Sequence, residues 1–314
     1  NFYPTGAVIV IHNDGSTKTY LPSIDTDVGR GTILRTAVNE ATDGSVIYLT
    51  PNVFDVGNNK ISLHKLLSTT NMSLYGSGMH NTIIKTSFSA GIAVSLGMIN
   101  STIKDLSIIS SANNGTIAGL VTFEVSTPQD VSGLLIENVY IKSTDGTAQG
   151  IYIANYSSNR YKTDLTINNV LVDAYDGIYI VGSTGTITIY NSTINATDIG
   201  IQNDYNTLNI WNLNLNVNAD DGAGLYQWVS AGTINAYVAK LVITGPNTQD
   251  IYNRGGTVNV TSRTVYNSSN TYGAITIIPE QDEPAVPVHT ETWPAPLIDF
   301  TSNEFNQCVL DERF

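Results

Sequence analysis

Between residues 100 and 245 the chain repeats one short pattern, in which apolar and polar positions alternate on either side of an asparagine. Leu134 to Ile141 reads LLIENVYI, Leu165 to Val172 LTINNVLV, Ile187 to Ile194 ITIYNSTI and Leu208 to Leu215 LNIWNLNL. An earlier copy is Ile103 to Ile108 (IKDLSI), and degraded copies lie near Lys240 and Ser262. Period-two alternation predicts strands with one buried face. The asparagine falls between two strand segments, at a bend, and asparagines stacked from coil to coil can hydrogen-bond one another.

A second register runs through the same region. Glycines at 91, 119, 150, 177, 200, 224 and 273 are usually followed by an aliphatic residue, and Asp250 takes the slot once. Counting Asp250, the gaps run from 23 to 31 residues. A period in the twenties that tolerates insertions marks a solenoid, in which each repeat stacks only on its neighbours. Asp-Gly pairs at 145–146, 176–177 and 221–222 supply turns. A helical repeat fails because the apolar period is two rather than 3.6. A leucine-rich repeat fails because its leucine-and-asparagine consensus is not met.

The region before the repeats predicts a cap. Gly31 to Ala41 reads as a short amphipathic helix, with Thr32 as its cap and Asp43-Gly44 as its end. Strand-like runs follow at Val46–Leu49, Val53–Val56, Ile61–Leu63, Ser73–Gly76 and Thr82–Lys85. The spacings G-x-x-I-x-L-x-P-x-x-F from Gly44 to Phe54 and L-x-G-x-G-x-x-x-T-x-I from Leu74 to Ile84 resemble the opening of the pectate-lyase-like β-helix superfamily. The resemblance implies an all-β fold, a single right-handed parallel β-helix over residues 31–278. Within that superfamily the chain looks most like the tailspike and fibre proteins of viruses. That likeness implies a homotrimer on a virion or cell surface, extracellular and binding a glycan.

The ends differ from the middle. In residues 1–30, Ala7 to Ile11 and Thr17 to Leu21 flank the turn Asn13-Asp14-Gly15 and predict a hairpin suited to attachment. Residues 279–314 carry Pro279, Pro284, Pro287, Pro294 and Pro296 among acidic residues, which predicts an extended tail. Its Trp293, Leu297, Ile298, Phe300, Phe305, Val309, Leu310 and Phe314 call for burial, either along the solenoid or on a neighbour in a larger assembly. The sequence begins with Asn1 rather than Met, so it reads as processed or as a piece of a longer chain, with no signal peptide in view.

Charge narrows the partners. Only 13% of the residues are charged and the net charge is −13. Nucleic acid and anionic membranes are disfavoured, because both need clustered cations. Cys308 is the single cysteine, so there is no intrachain disulfide and no Cys/His metal spacing. Asn-x-Ser/Thr sequons stand at Asn71, Asn100, Asn114, Asn155, Asn191, Asn195, Asn259 and Asn267, a number that a chain rich in Asn, Ser and Thr also supplies by chance.

Two sets of residues are candidates for function. Tyr152, Tyr179, Gln202, Tyr226 and Tyr252 all follow the Gly-aliphatic register and are expected to project from one face in successive coils. Tyr190 and Trp211 form a parallel stripe beside Asn168 and Glu137, pointing outward because Ile189 and Ile210 point inward. Outward aromatic faces suit a polysaccharide, a subunit interface or plain sheet stacking. The carboxylates Asp145, Asp176, Asp198, Asp220 and Asp221 lie at equivalent turns. If stacked, Asp176, Asp198, Asp220 and Asp221 would raise one another's pKa values or recruit Ca, and could act as a glycosidase pair; otherwise they are turn residues.

Resemblance to the enzymes of this superfamily is incomplete. Asn218-Ala219-Asp220-Asp221 mimics polygalacturonase motifs in compressed form, but Gly-His-Gly and Arg-x-Lys are missing. None of Lys142, Arg160, Lys162, Lys240, Arg254 and Arg263 sits in a lyase motif. The expectation is therefore a non-catalytic or weakly catalytic glycan binder with no required cofactor. A secreted polysaccharide lyase or glycoside hydrolase is the alternative, and a structural surface-layer or adhesin protein a third.

Overall fold

The structure, a computed structural model, describes residues 3–63, 71–87, 94–95, 99–110, 119–124, 130–144, 147–154, 162–264 and 266–279. The tail beyond Pro279, Asp145 and Gly91 lie outside the described residues, and with them the expectations placed on them. The chain is a parallel β-helix. Each coil has a first strand face, a bend at asparagine, a second face, a turn, and a third face that carries the Gly-aliphatic-Tyr motif.

On the first face Val46–Leu49, Ser73–Tyr75, Thr163–Asn168, Thr186–Tyr190 and Thr257–Thr261 run parallel in one sheet. The long strands Thr102–Ser110, Val131–Ser143, Thr207–Asn218 and Thr233–Thr244 continue from the first face into the second. Leu171–Ala174 and Thr193–Ala196 lie wholly on the second face. The third face is a separate sheet, including Gln149–Ala154, Ile178–Val181, Ile199–Asn203, Ala223–Gln227, Gln249–Asn253 and Thr271–Tyr272.

The core is built from aligned aliphatic columns. Ile151, Ile178, Ile201, Leu225 and Ile251 are paired in register and fully buried. Ile136, Ile167, Ile189 and Ile210 do the same from the first face. Each such side chain contributes roughly 1.5–3 kcal/mol on leaving water.

The bend at asparagine is a left-handed residue in every coil where it is intact. Asp105, Asn138, Asn169, Asn191 and Asn212 have φ between 46° and 58°, a region that asparagine and aspartate tolerate better than other side chains. Their side chains also bond between coils: Asn138 Nδ2 donates to Asp105 Oδ1 at 3.0 Å, Asn169 to Asn138 at 2.6 Å and Asn212 to Asn191 at 2.8 Å. Asn169→Ala should therefore lose both the tolerated conformation and a hydrogen bond, about 1–2 kcal/mol in urea denaturation. Asn169→Gly should recover part of that loss; equal losses in the two variants would show that the left-handed backbone is not what the asparagine supplies.

The glycine register is shorter than its spacing suggests. Gly150, Gly177, Gly200 and Gly224 stack in one column. Gly119 pairs with Gln149, one residue out of the column, and Gly273 follows Tyr272, which itself pairs with Tyr252. Asp250 can occupy the last slot because the next coil departs into the turn at Ser268–Asn270, and its carboxylate accepts from the Asn267 N–H there.

At the amino-terminal end the helix covers Asp27–Glu40, four residues earlier than the expected Gly31 start. Thr26, not Thr32, is the cap, accepting from Gly29 N at 3.0 Å, and Asp27 adds negative charge at the first turn. Gly31 marks a close approach rather than a helix start, since a Cβ there would sit 1.8 Å from the carbonyl oxygen of Asp55. Arg30, buried, donates through Nε to the Val53 carbonyl at 2.7 Å and pairs with Asp25 and Asp27. The expected hairpin forms from Val8–Ile11 and Thr17–Tyr20. Its first strand also lies antiparallel on Val46–Leu49, so Val8 and Val10 are part of the solenoid core.

Candidate functional site

The third face carries the tyrosine column in the register that its motif predicts. Thr122, Tyr152, Tyr179, Gln202, Tyr226, Tyr252 and Tyr272 are paired one to the next along the sheet. Gln202 divides the column. It is 4% exposed, against the expectation of an outward ligand-binding side chain, because its carboxamide turns to Asp204 Oδ1 at 3.2 Å. Asp204 is itself buried, and that burial raises its carboxyl against the lowering bond from Gln202.

On one side of the break Tyr152 and Tyr179 stack with centroids 5.9 Å apart. On the other, Tyr226 meets Tyr252 edge-on at 4.8 Å, and Tyr252 stacks on Tyr272 at 4.6 Å. Trp228 packs edge-on against Tyr226 at 5.3 Å, and the Arg254 guanidinium lies 4.2 Å from the centroid of its ring. Burial raises the Tyr226 phenol, the neighbouring Tyr252 adds to this, and Arg254 opposes it. Trp228 and Tyr272 are 39% and 54% exposed, so the cluster presents aromatic surface to solvent.

Three members of this cluster escape the sequence motif. Trp228 lies two residues beyond Tyr226, Arg254 two beyond Tyr252, and Tyr272 comes one residue before Gly273 rather than two after it. The recurring offset of two in a strand was the available signal, since it returns a side chain to the same face.

The parallel stripe is also in register: Tyr48, Tyr75, Lys104, Glu137, Asn168, Tyr190 and Trp211 follow one another on the first face. Asn168 donates to Glu137 at 2.9 Å, and Trp211 stays partly exposed. Tyr190 is only 2% exposed, which corrects its assignment as a ligand-binding residue. Its outward parity holds, but between Asn168 and Trp211 the ring has almost no free surface.

The carboxylates do not form one stack. Asp176 aligns with Gln149 in the coil before and Ile199 in the coil after, not with Asp198. It is 5% exposed, accepts from Gln149 Nε2 at 3.3 Å and from Ile199 N at 3.2 Å. Burial lifts its carboxyl to about 6, and the charge of Asp198 adds to the rise. Asp198 accepts from the Tyr175 phenol; that bond, with burial, pushes the phenol up to about 12. Asp220 and Asp221 are exposed on the following turn. The offset arises because Asp176 lies one residue before its column glycine, Asp198 two before Gly200 and Asp221 three before Gly224, which slips each carboxylate out of register with the next. Among the described residues no group of three or more His, Cys, Asp or Glu is placed to hold a metal ion, and no helix is long and apolar enough to cross a membrane.

No protein-family model matches the chain, and no curated protein matches it. Among solved structures, the A-module of mannuronan C-5 epimerase AlgE6 from Azotobacter vinelandii is similar at 14% identity, with 80% of this chain and 96% of that chain covered and a TM-score of 0.23. The Agl-KA catalytic domain is similar at 12% identity, with 83% and 67% covered and a TM-score of 0.28. The β-helix assignment rests on the strand register above and needs neither.

Proposed function

We propose that the chain is a glycan-binding β-helix of a virion or cell surface, a spike or fibre that works as a homotrimer and holds a polysaccharide on its third face. The observation that carries this reading is the cluster of Tyr226, Trp228, Tyr252 and Tyr272 with Arg254 across it. Aromatic rings left facing water along a repeating strand face suit the C–H faces of successive sugar rings, and their phenols supply hydrogen bonds at the edge. The trimer and the surface location follow from the tailspike resemblance, and the net charge of −13 suits a protein without nucleic acid or membrane partners.

Trp228→Ala and Tyr272→Ala are expected to weaken binding to the retained member of a polysaccharide panel at least tenfold. The thermal midpoint should barely move, since exposed substitutions of this kind are usually near neutral for stability. Affinity electrophoresis on the panel reads the first and a melting curve the second; unchanged mobility in both variants would remove the aromatic cluster from the binding site. Mass in solution tests the trimer, and a monomer would count against the spike.

A second reading, a polysaccharide lyase or glycoside hydrolase, is favoured by one observation. Asp176, raised to about 6 by burial and the neighbouring Asp198, could stay protonated as an acid. New reducing ends or ultraviolet absorbance on incubation with the same panel would support this reading over the first.

A further inference from the structure

A groove of about 400 Å³ lies on the second face and the turn that follows it, away from the tyrosine column. Its floor is a polar ladder that the turn-based reading of the sequence passes over. Asp173, Asn195, Asn216 and Val242, which line it, are paired coil to coil in one outward column that Lys142 precedes outside the groove. Asp173 Oδ2 accepts from the Tyr140 phenol at 2.7 Å and Oδ1 from Asn195 Nδ2 at 2.5 Å. Asn195 Oδ1 in turn accepts from Asn216 Nδ2 at 2.7 Å. Burial, reinforced by the bond to Asp173, pushes Tyr140 up to about 12, so it remains a donor to the carboxylate.

The bonds all point one way. Asn195 gives one N–H to Asp173 in the coil before and accepts from Asn216 in the coil after, so the ladder holds both amides in fixed rotamers. It uses only one of the two N–H groups of each carboxamide, and Asp173 keeps lone pairs on both oxygens. The half-buried floor therefore offers, at a strand spacing of about 4.8 Å, alternating sites that donate to and accept from hydroxyl groups. Val242, exposed on one wall, adds apolar surface, and Asn218 and Thr244, bonded at 2.9 Å, close the far end.

We infer that this groove is a saccharide subsite selective for uncharged sugars. A sugar hydroxyl can donate to Asp173 and accept from an Asn195 or Asn216 N–H together, which an aliphatic ligand cannot. No Lys or Arg lines the groove, Lys142 standing one coil before Asp173 and outside the lining, so a uronate or sulfated sugar would bring a negative charge to the Asp173 floor with no cation among the residues it touches. The volume falls within the range of small-molecule sites. The subsite goes beyond the third-face reading and stands without it.

The test is calorimetric titration of the full chain with cellobiose, maltose, lactose and digalacturonate. At least one neutral disaccharide should bind with one-site stoichiometry, and digalacturonate should bind at least tenfold more weakly. Thr197→Arg, an exposed lip residue that lines the groove, should weaken the neutral ligand at least tenfold by filling it. Trp228→Ala should leave that affinity unchanged, which separates this site from the aromatic cluster. A Thr197→Arg chain that melts like the parent yet binds equally well would overturn the inference. So would a failure of every neutral disaccharide to bind, binding of digalacturonate as tight as the neutral sugar, or loss of binding in Trp228→Ala.

Discussion

Gly177→Ala is expected to destabilise the β-helix by about 3 kcal/mol, and by more if neighbouring coils cannot yield. A Cβ at Gly177 would sit 2.4 Å from the carbonyl oxygen of Gly200 and 2.2 Å from Ile194 Cγ2. Neither neighbour is free to move. The backbone of Gly200 belongs to a strand with partners on both sides, and Ile194 is fully buried in the core. The same clash repeats along the column: 2.7 Å from Gly150 to the Gly177 oxygen, 2.6 Å from Gly200 to Gly224 and 2.6 Å from Gly224 to Asp250. One methyl group therefore forces two coils apart. In a solenoid whose repeats touch only their neighbours, the cost should stay local and lower the cooperativity of unfolding as well as its midpoint. Urea denaturation followed by far-ultraviolet circular dichroism reads both. An unchanged midpoint would mean that the column has slack that its geometry does not show. Gly15→Ala gives the contrast, since a Cβ there would meet nothing within 4 Å and any strain comes from its own φ of 81°.

The difference between these glycines shows what kinds of information the sequence carries. Period-two alternation and the asparagine between its halves are local properties, and they survive into the structure as strands, a bend and coil-to-coil amide bonds. Tyr152, Tyr179, Tyr226 and Tyr252 are legible for the same reason, because one short motif fixes their face. Register between coils is a different matter. It depends on the length of every turn, and a slip of one residue moves Gly119 out of the glycine column and Asp176 away from Asp198. Exposure is harder still, since it depends on what lies beside a residue in the neighbouring coils. Tyr190 has the right parity and is covered; Gln202 has the right register and turns to Asp204. The Asp173 ladder has no turn signal at all, because its residues sit within strands and are joined only through the stacking.

Asp176→Asn is expected to raise stability at pH 7 to 8 by up to about 3 kcal/mol. The carboxyl is lifted from its ordinary 3.8 to about 6, first by burial and then by the charge of Asp198. A rise of that size corresponds to about 3 kcal/mol. Between about pH 4 and 6 the folded chain keeps a proton on Asp176 that the unfolded chain has released. The group is thus neutral for stability below that window, and its buried charge costs progressively more as the pH rises through it. Asparagine carries no charge to bury. Its oxygen can still accept from Ile199 N, and once the Gln149 carboxamide turns over its amide can donate to Gln149 Oε1, in place of the bond that Asp176 accepts from Gln149 Nε2. Parent and variant should therefore have similar urea midpoints at pH 4 and separate by pH 8, with the variant the more stable. A variant less stable than the parent at pH 8 would show that the ionised carboxylate makes a favourable contact. The same substitution divides the two functional readings. If the chain cleaves a polysaccharide with Asp176 as the acid, stability should rise while turnover collapses, the exchange expected where a strained group is held for chemistry. If the chain only binds, stability should rise and affinity for the panel should not move, because Asp176 lies under the turn and its bonds run between coils.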